Sequence, residues 1–145
     1  MSNILEEAKR YVDTLPIYQG DDGEIRKGLF FLGCIIAKIG TKQREKNLNE
    51  TILDKIQFRG MNKDQVLRLF NQVFEYLRIY DLQKFSENKE LIGAISAIFD
   101  RSLKHWSLSP EGTVYFILSG YAFLTSRLVG NKKAIIKEES HEQHD

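Results

Sequence analysis

Apolar residues recur at helical spacing along most of the chain, and this pattern predicts five main helices. The first covers about residues 3–15 and ends at Pro16, which cannot continue a helix. The second covers about residues 24–46 and is almost entirely apolar up to Ile39. Gly40 is a candidate break or bend within it, because glycine weakens a helix interior.

A short connecting helix is predicted near residues 50–58, followed by a turn at Gly60. The third main helix has the clearest start. Asn62 is a favoured capping residue, and Gln65 stands three positions later, as in a capping box. The helix then carries one apolar stripe with polar residues opposite. The stripe consists of Val66, Leu69, Phe70, Val73, Phe74 and Leu77.

The fourth helix is predicted over about residues 88–106, where apolar residues again form a single face. The fifth begins at Ser109, a favoured capping residue, with Pro110 in its first turn. Its continuation is apolar almost all round, like that of the second helix.

Helices without a polar face are normally buried, so the second and fifth helices should form the centre and the amphipathic ones should surround them. Gly33 and Gly120 lie inside these two helices, where glycine is unfavourable, and they predict a close approach of two backbones. The expected fold is all-α, a single compact bundle of about five main helices plus a short connecting helix. We expect residues 1–130 to form the bundle and residues 131–145 a flexible tail.

The composition is that of a folded domain, with 42% hydrophobic and 11% aromatic residues in 145. The single cysteine, Cys34, excludes an internal disulfide and fits a reducing cytoplasm. No apolar run approaches the roughly 20 residues that span a bilayer. The N-terminus carries early carboxylates, unlike a signal peptide. We therefore expect a cytoplasmic protein without membrane contact.

The net charge of +1 conceals a basic middle third. Residues 1–25 carry two Lys/Arg against six Asp/Glu, whereas residues 26–68 carry ten against four. Cations on a rigid support can bind a phosphate backbone. The same pattern also describes an ordinary solvated face, and the residues alone leave both interpretations open.

Enzymatic chemistry has little support in the sequence. The tail sequence HEQHD places His141 and His144 three residues apart, whereas the metalloprotease motif HExxH requires four. His105 near a helix end is typical of a structural histidine. Cys34 lies in an apolar run, which indicates a small buried packing residue. We expect no catalytic residue, no metal site and no cofactor.

Three stretches in the same order resemble a known family: GLFFLGCIIAKIGTKQ, ILDKIQFRGMNKDQVLRLFNQVFEYLRIYD and LSPEGTVYFILSGYAF. They are similar to the C-terminal helical region of the large subunit of type I-B CRISPR effector (Cascade) complexes. In such systems this region is also made separately as a small subunit. A chain of this length, starting at its own methionine, is similar to that free small subunit.

The resemblance implies an all-helical, non-enzymatic subunit that lines the belly of the complex. Its partners would be the large subunit, the guide-backbone subunits and further copies of itself in head-to-tail contact. It would hold the displaced strand of target DNA beside the guide RNA and stabilise the R-loop. The basic residues expected to contact DNA phosphates are Lys38, Lys42, Arg44, Lys46, Lys55, Arg59, Lys63 and Arg68.

A rival hypothesis is a helical adaptor that binds only proteins and whose cations merely keep it hydrated. Aromatic residues dominate the energetics of protein interfaces. The adaptor's anchors would then be Tyr76, Tyr80, Phe85 and Trp106.

Overall fold

Six α-helices make up most of the chain in the computed structural model, which describes the backbone of residues 4–142 and the side chains of residues 4–128. No strand occurs among the described residues. Short 3₁₀ turns at Pro16–Tyr18 and Leu103–His105 follow the first and fifth helices. The helices are α1 (Ile4–Thr14), α2 (Gly23–Glu45), α3 (Ile52–Lys55), α4 (Lys63–Ile79), α5 (Ser86–Ser102) and α6 (Pro110–Glu142). The predicted all-α bundle is confirmed.

Helix α2 is the centre of the bundle and is buried on every side from Gly28 to Ala37. A Cβ atom at Gly28 would meet Ile98 and Phe99 of α5, whereas one at Gly33 would meet the backbone of α6. These glycines are five residues apart, so their directions from the helix axis differ by about 140°. Helix α2 therefore lies between α5 and α6.

The predicted close approach of two backbones is confirmed at Gly33 and Gly120. A Cβ atom on Gly33 would lie 1.9 Å from the carbonyl oxygen of Ile117, and one on Gly120 would lie 1.8 Å from that of Phe30. No larger residue fits either position unless the helices move apart. The two glycines set the distance between α2 and α6.

Helix α4 begins with the predicted capping box. The Asn62 backbone N–H donates to Gln65 Oε1 at 2.8 Å, and the Gln65 N–H donates to Asn62 Oδ1 at 3.0 Å. The apolar stripe of the helix is largely buried, although Phe74 remains 42% exposed. The Phe70 and Phe99 rings meet edge to face at 5.5 Å and join α4 to α5.

The other helix starts and ends differ modestly from the predictions. Helix α2 continues through Gly40 without a break. Helix α5 starts at Ser86, after Phe85 rather than a polar cap, and ends at Ser102 because a 3₁₀ turn follows. Helix α6 starts as predicted, with the Ser109 Oγ accepting from the Gly112 N–H at 3.0 Å.

Helix α6 is less enclosed than its sequence predicts. Its buried residues include Phe116, Ile117 and Leu124, which lie on the side of Gly120, whereas Tyr115 and Leu118 on the other side are exposed. The predicted tail, 131–145, falls where side chains lie outside the described residues, and 143–145 lie outside altogether. That boundary and the roles of His141 and His144 stay predictions.

None of the helices in the described part of the chain has both the length and the apolar character needed to cross a membrane.

Candidate nucleic-acid interface

Most cations of the basic middle third have no carboxylate partner among the described residues. Eight ion pairs join described residues, and only two of the eight predicted DNA-contacting residues, Lys38 and Lys42, take part in them. The other six are exposed, and none forms an ion pair with a described carboxylate. These six, called the open cations below, are Arg44, Lys46, Lys55, Arg59, Lys63 and Arg68.

The acidic start of the chain behaves differently, because half of its carboxylates form ion pairs with other helices of the bundle. Asp13 pairs with Lys27 of α2 at 3.5 Å, Glu24 with Arg101 of α5 at 2.8 Å, and Glu7 with Arg127 of α6 at 3.4 Å. Three of the six acidic side chains in the first 25 residues are therefore used in internal pairs. The positive charge of the open cations faces solvent.

Lys38 forms an ion pair within the bundle and is not an open surface cation. Its ammonium lies 2.6 Å from Glu87 Oε1 at the start of α5, and the two side chains are only 18% and 26% exposed. An ion pair this sheltered is difficult to open for a phosphate, since its partner would be left partly buried and unpaired. Lys42 is different, because its 3.8 Å pair with Glu45 is loose and exposed.

Reversing the charge of Lys38 should therefore destabilise the bundle. We expect Lys38→Glu to lower the free energy of unfolding by about 1–3 kcal/mol, because it sets two carboxylates together in a sheltered site. The double variant Lys38→Glu/Glu87→Lys should recover most of the loss. Urea denaturation of the three proteins measures this, and a fully stable single variant would contradict the structural role.

Gln43 joins the elements that carry Arg44, Lys46 and Lys55, although sequence reasoning did not single it out. It lies in the last turns of α2 with only 2% of its surface exposed. Its Oε1 accepts from the Ile52 backbone N–H at 2.7 Å, and its Nε2 donates to the Tyr80 hydroxyl at 3.2 Å. One side chain thus ties the end of α2 to the start of α3 and the end of α4. A polar residue on the inward side of an apolar helix was the available signal.

Removing this side chain should loosen α3. We expect Gln43→Ala to lower the free energy of unfolding by about 2–3 kcal/mol, because the buried Ile52 N–H loses its acceptor. The exposed Gln57 provides a matched control, and Gln57→Ala should leave stability within about 0.5 kcal/mol of the unchanged protein. Hydrogen exchange at the Ile52 amide should rise strongly in the first variant only.

The segment after Ile52 runs alongside α4, from the end of that helix toward its start. The open cations are therefore distributed along the length of α4. Ile52 shares one surface pocket with Tyr76 and Ile79, near the end of α4. Further along, Lys55 and Arg68 line a second pocket, of about 210 Å³. Helix α4 has 17 residues and is therefore about 25 Å long.

The structure therefore brings Lys55 and Arg68 together, whereas Arg44 and Lys46 lie at the end of α2. Lys63 begins α4, at the end far from Tyr80. The open cations are therefore spread over the end of α2, the segment after Ile52 and α4 rather than gathered in one compact patch, and we call this set the strip. Such a spread suits an extended polyanion better than a small anion, since the phosphates of a nucleic-acid backbone are also spread over a length.

Two carboxylates near the strip are already committed to local contacts. Asp54 Oδ2 accepts from the Thr51 backbone N–H at 2.9 Å and completes the capping box of α3. Glu75 pairs with Arg78 at 3.0 Å on α4. Each acid thus has a local partner, and neither forms an ion pair with Lys55 or Arg68.

Comparison with known families covers nearly the whole chain. Residues 2–134 match the family model described as CRISPR-associated protein TM1802 (cas_TM1802) C-terminal domain. The chain belongs to this family. No curated protein and no solved structure matches it. The expected association with a CRISPR-Cas system is confirmed at the family level.

In this TM1802 C-terminal domain, Cys34 is a buried packing residue, as predicted. Its Sγ lies 3.5 Å from the Gly120 carbonyl oxygen, to which the thiol donates. Burial raises the pKa of the Cys34 thiol to about 12, although Lys38 opposes the shift. The thiol is therefore protonated at neutral pH and is a poor nucleophile.

One surface groove of the TM1802 domain is lined by a histidine and two aspartates. His105 is exposed in the 3₁₀ turn after α5 and lines a groove of about 520 Å³ with Asp21 and Asp22. Ser107 donates to Asp22 at 3.2 Å there. No cluster of three or more metal-ligating side chains occurs among the residues that the structure describes.

The aromatic anchors of the rival adaptor hypothesis are mostly used inside the domain. Tyr76 and Tyr80 stack on each other at 6.3 Å and, like Trp106, are half-buried against the core. Phe85 alone of the four is strongly exposed, at 51%. Three of the four predicted anchors are therefore partly engaged in packing against the core.

Proposed function

We propose that this chain is the non-catalytic small subunit of a type I-B CRISPR effector complex, where it contacts DNA through phosphates and stabilises the R-loop. Membership of the CRISPR-associated TM1802 C-terminal domain family supports the setting. The main support for the proposed DNA contact is the strip of six open cations. Internal carboxylates neutralise most other cations of the described chain, but they leave this strip unpaired.

The contact would be sequence-independent. Lys and Arg side chains that reach phosphates release condensed counterions, and this gain does not depend on which bases are present. Binding along the length of α4 suits the displaced DNA strand, because that strand is not paired with its complementary strand. A single copy with near-neutral total charge would bind weakly. Several copies in one complex would bind strongly, because tethered contacts add at high effective concentration.

The partners in this proposal are the large subunit, the guide-backbone subunits and further copies of the same chain. A catalytic role is not proposed. The sole cysteine is buried and protonated, and cleavage of the target would belong to another component.

The experiment assembles the effector complex with and without this chain and measures R-loop formation on a matched target. We expect the complex without the chain to bind target DNA more weakly and to lose protection of the displaced strand. The free chain should bind single-stranded DNA of any sequence, and log affinity should fall with log salt by about 0.7 per phosphate contacted. Equal R-loop stability in the two complexes would refute the proposal.

A protein-binding adaptor remains the second candidate, because an apolar groove lies open between α4 and α5. Co-purification separates the two functions. Recovery with guide RNA and other effector subunits supports the first, whereas a protein partner without nucleic acid supports the second.

A further inference from the structure

Two surface pockets lie side by side where the segment after Ile52 meets α4. The larger pocket has a volume of about 330 Å³, and the smaller one has a volume of about 210 Å³. Lys55, Ile56 and Gln72 line both pockets, so the two share a wall. The α4 residues of the larger pocket stand seven positions after those of the smaller one, which is about 10 Å along the helix axis. Lys55 of the strip therefore lies between two recesses and not on a flat surface.

The linings combine apolar surface with uncharged amides. Ile56 and Ile79 supply aliphatic surface to the larger pocket, and Tyr76 supplies an aromatic ring. Gln72 lines both pockets and Gln57 lines the smaller one. Both glutamines are exposed, and neither side-chain amide bonds to a described residue. Since an amide can donate and accept, these pockets suit a flat ring with polar groups at its edge.

The charge at the pockets is complementary to phosphate. Lys55 lines both pockets and Arg68 lines the smaller one, and neither forms an ion pair with a described carboxylate. The larger pocket also contains Glu75, whose charge is already paired with Arg78 at 3.0 Å. A ligand that carries flat rings on a chain of phosphates matches both the linings and the charge.

We propose that the two pockets receive unpaired bases of single-stranded DNA, while Lys55 and Arg68 bind the phosphates between those bases. Bases in a duplex stack about 3.4 Å apart along each strand, which is much closer than the two pockets. Only a strand whose bases have left their stack can fill both pockets. Every base has a flat face, so such contacts tolerate any sequence.

This inference deepens the proposed function, on which it rests for the presence of single-stranded DNA. The proposed function needs only phosphate contacts, which a duplex offers as well. Base contacts would give the chain a physical reason to bind the displaced strand, because its bases are not paired.

An abasic oligonucleotide separates the two kinds of contact, because it keeps every phosphate and lacks the bases. Fluorescence anisotropy at low salt would compare the full chain bound to labelled oligothymidylate and to an abasic strand of the same length. We expect the abasic strand to bind at least fivefold more weakly. Equal affinities would overturn the base pockets and leave the phosphate contact standing, whereas no binding of either strand would overturn both.

Gln72→Ala/Ile79→Ala tests the pockets from the protein side. It removes the shared amide and an apolar wall of the larger pocket, and Ile79 is 68% exposed, so the fold should be unchanged. We expect affinity for oligothymidylate to fall at least threefold and affinity for the abasic strand to stay the same. The control Asn71→Ala/Ile17→Ala changes two exposed residues outside both pockets and should alter neither affinity. A pocket variant that binds oligothymidylate as tightly as the unchanged protein would overturn the inference.

Photocrosslinking locates the bases directly. An oligonucleotide that carries 5-iododeoxyuridine couples under ultraviolet light to an aromatic side chain in contact with the base. We expect the crosslink at Tyr76, identified by mass spectrometry of the digested complex. Crosslinks found only at aromatic residues outside the two pockets, such as Trp106, would overturn the assignment.

Discussion

Gly33→Ala is expected to lower the free energy of unfolding by more than about 3 kcal/mol or to prevent folding. The added methyl group would lie 1.9 Å from the carbonyl oxygen of Ile117. A flexible side chain could rotate away from such a clash, but a helix backbone cannot. Relief therefore requires α2 and α6 to separate, which would open the most extensively packed interface of the bundle. Urea denaturation followed by circular dichroism measures the loss.

Gly120→Ala should have the same effect from the other side of that interface, because its methyl group would meet the Phe30 carbonyl oxygen at 1.8 Å. Gly93→Ala is the matched control, with open space at the same substitution. It should stabilise the protein by about 0.5–1 kcal/mol, as expected for glycine replaced inside an exposed helix. Similar stability in all three variants would contradict the close approach of α2 and α6.

Reversing two open cations should strongly impair DNA binding without harm to the fold. We expect Lys55→Glu/Arg68→Glu to weaken the binding of single-stranded DNA by at least tenfold per copy. The log–log salt slope should fall by about 1.4, which corresponds to two lost phosphate contacts. The loss should multiply in an assembled complex that holds several copies. Both side chains are exposed and have no ion pair to a described carboxylate, so stability should change by less than about 1 kcal/mol.

Arg10→Glu/Lys104→Glu provides a control with the same change in net charge. These two residues are also exposed, but they lie in α1 and in the turn after α5, away from α4. If the cations act only through net charge, both double variants should weaken binding equally, and the strip would lose its significance. A fluorescence anisotropy titration at several salt concentrations separates the two outcomes.

Local sequence signals were sufficient for the starts of α4 and α6. At α4 the side chains of Asn62 and Gln65, and at α6 that of Ser109, accept from backbone N–H groups close in the chain, so the signal is readable without the fold. The start of α5 was placed less well, because Phe85 makes no side-chain cap. Its end was placed too late, since a 3₁₀ turn prolongs the same apolar spacing.

The sequence predicted the cations of the candidate site as a group, but not the partner of each one. The sequence locates the cations in the middle third, but the identity of a lysine's partner depends on which helices meet. Glu87 is 49 positions from Lys38, and their pairing follows from the way α5 packs on α2. Gln43 likewise joins Ile52 and Tyr80, nine and 37 positions away. Contacts over such separations leave no local pattern in the chain.

For this protein, the sequence alone determined an all-helical bundle, a central second helix and two glycines where backbones meet, because helical periodicity and backbone sterics act over a few residues. Only the tertiary structure decided which charges are neutralised and which face solvent. It also left one face of α6 uncovered, although the sequence of that helix is apolar almost all round. A helix can bury only the face that its neighbours reach, and the number of neighbours is a property of the whole fold.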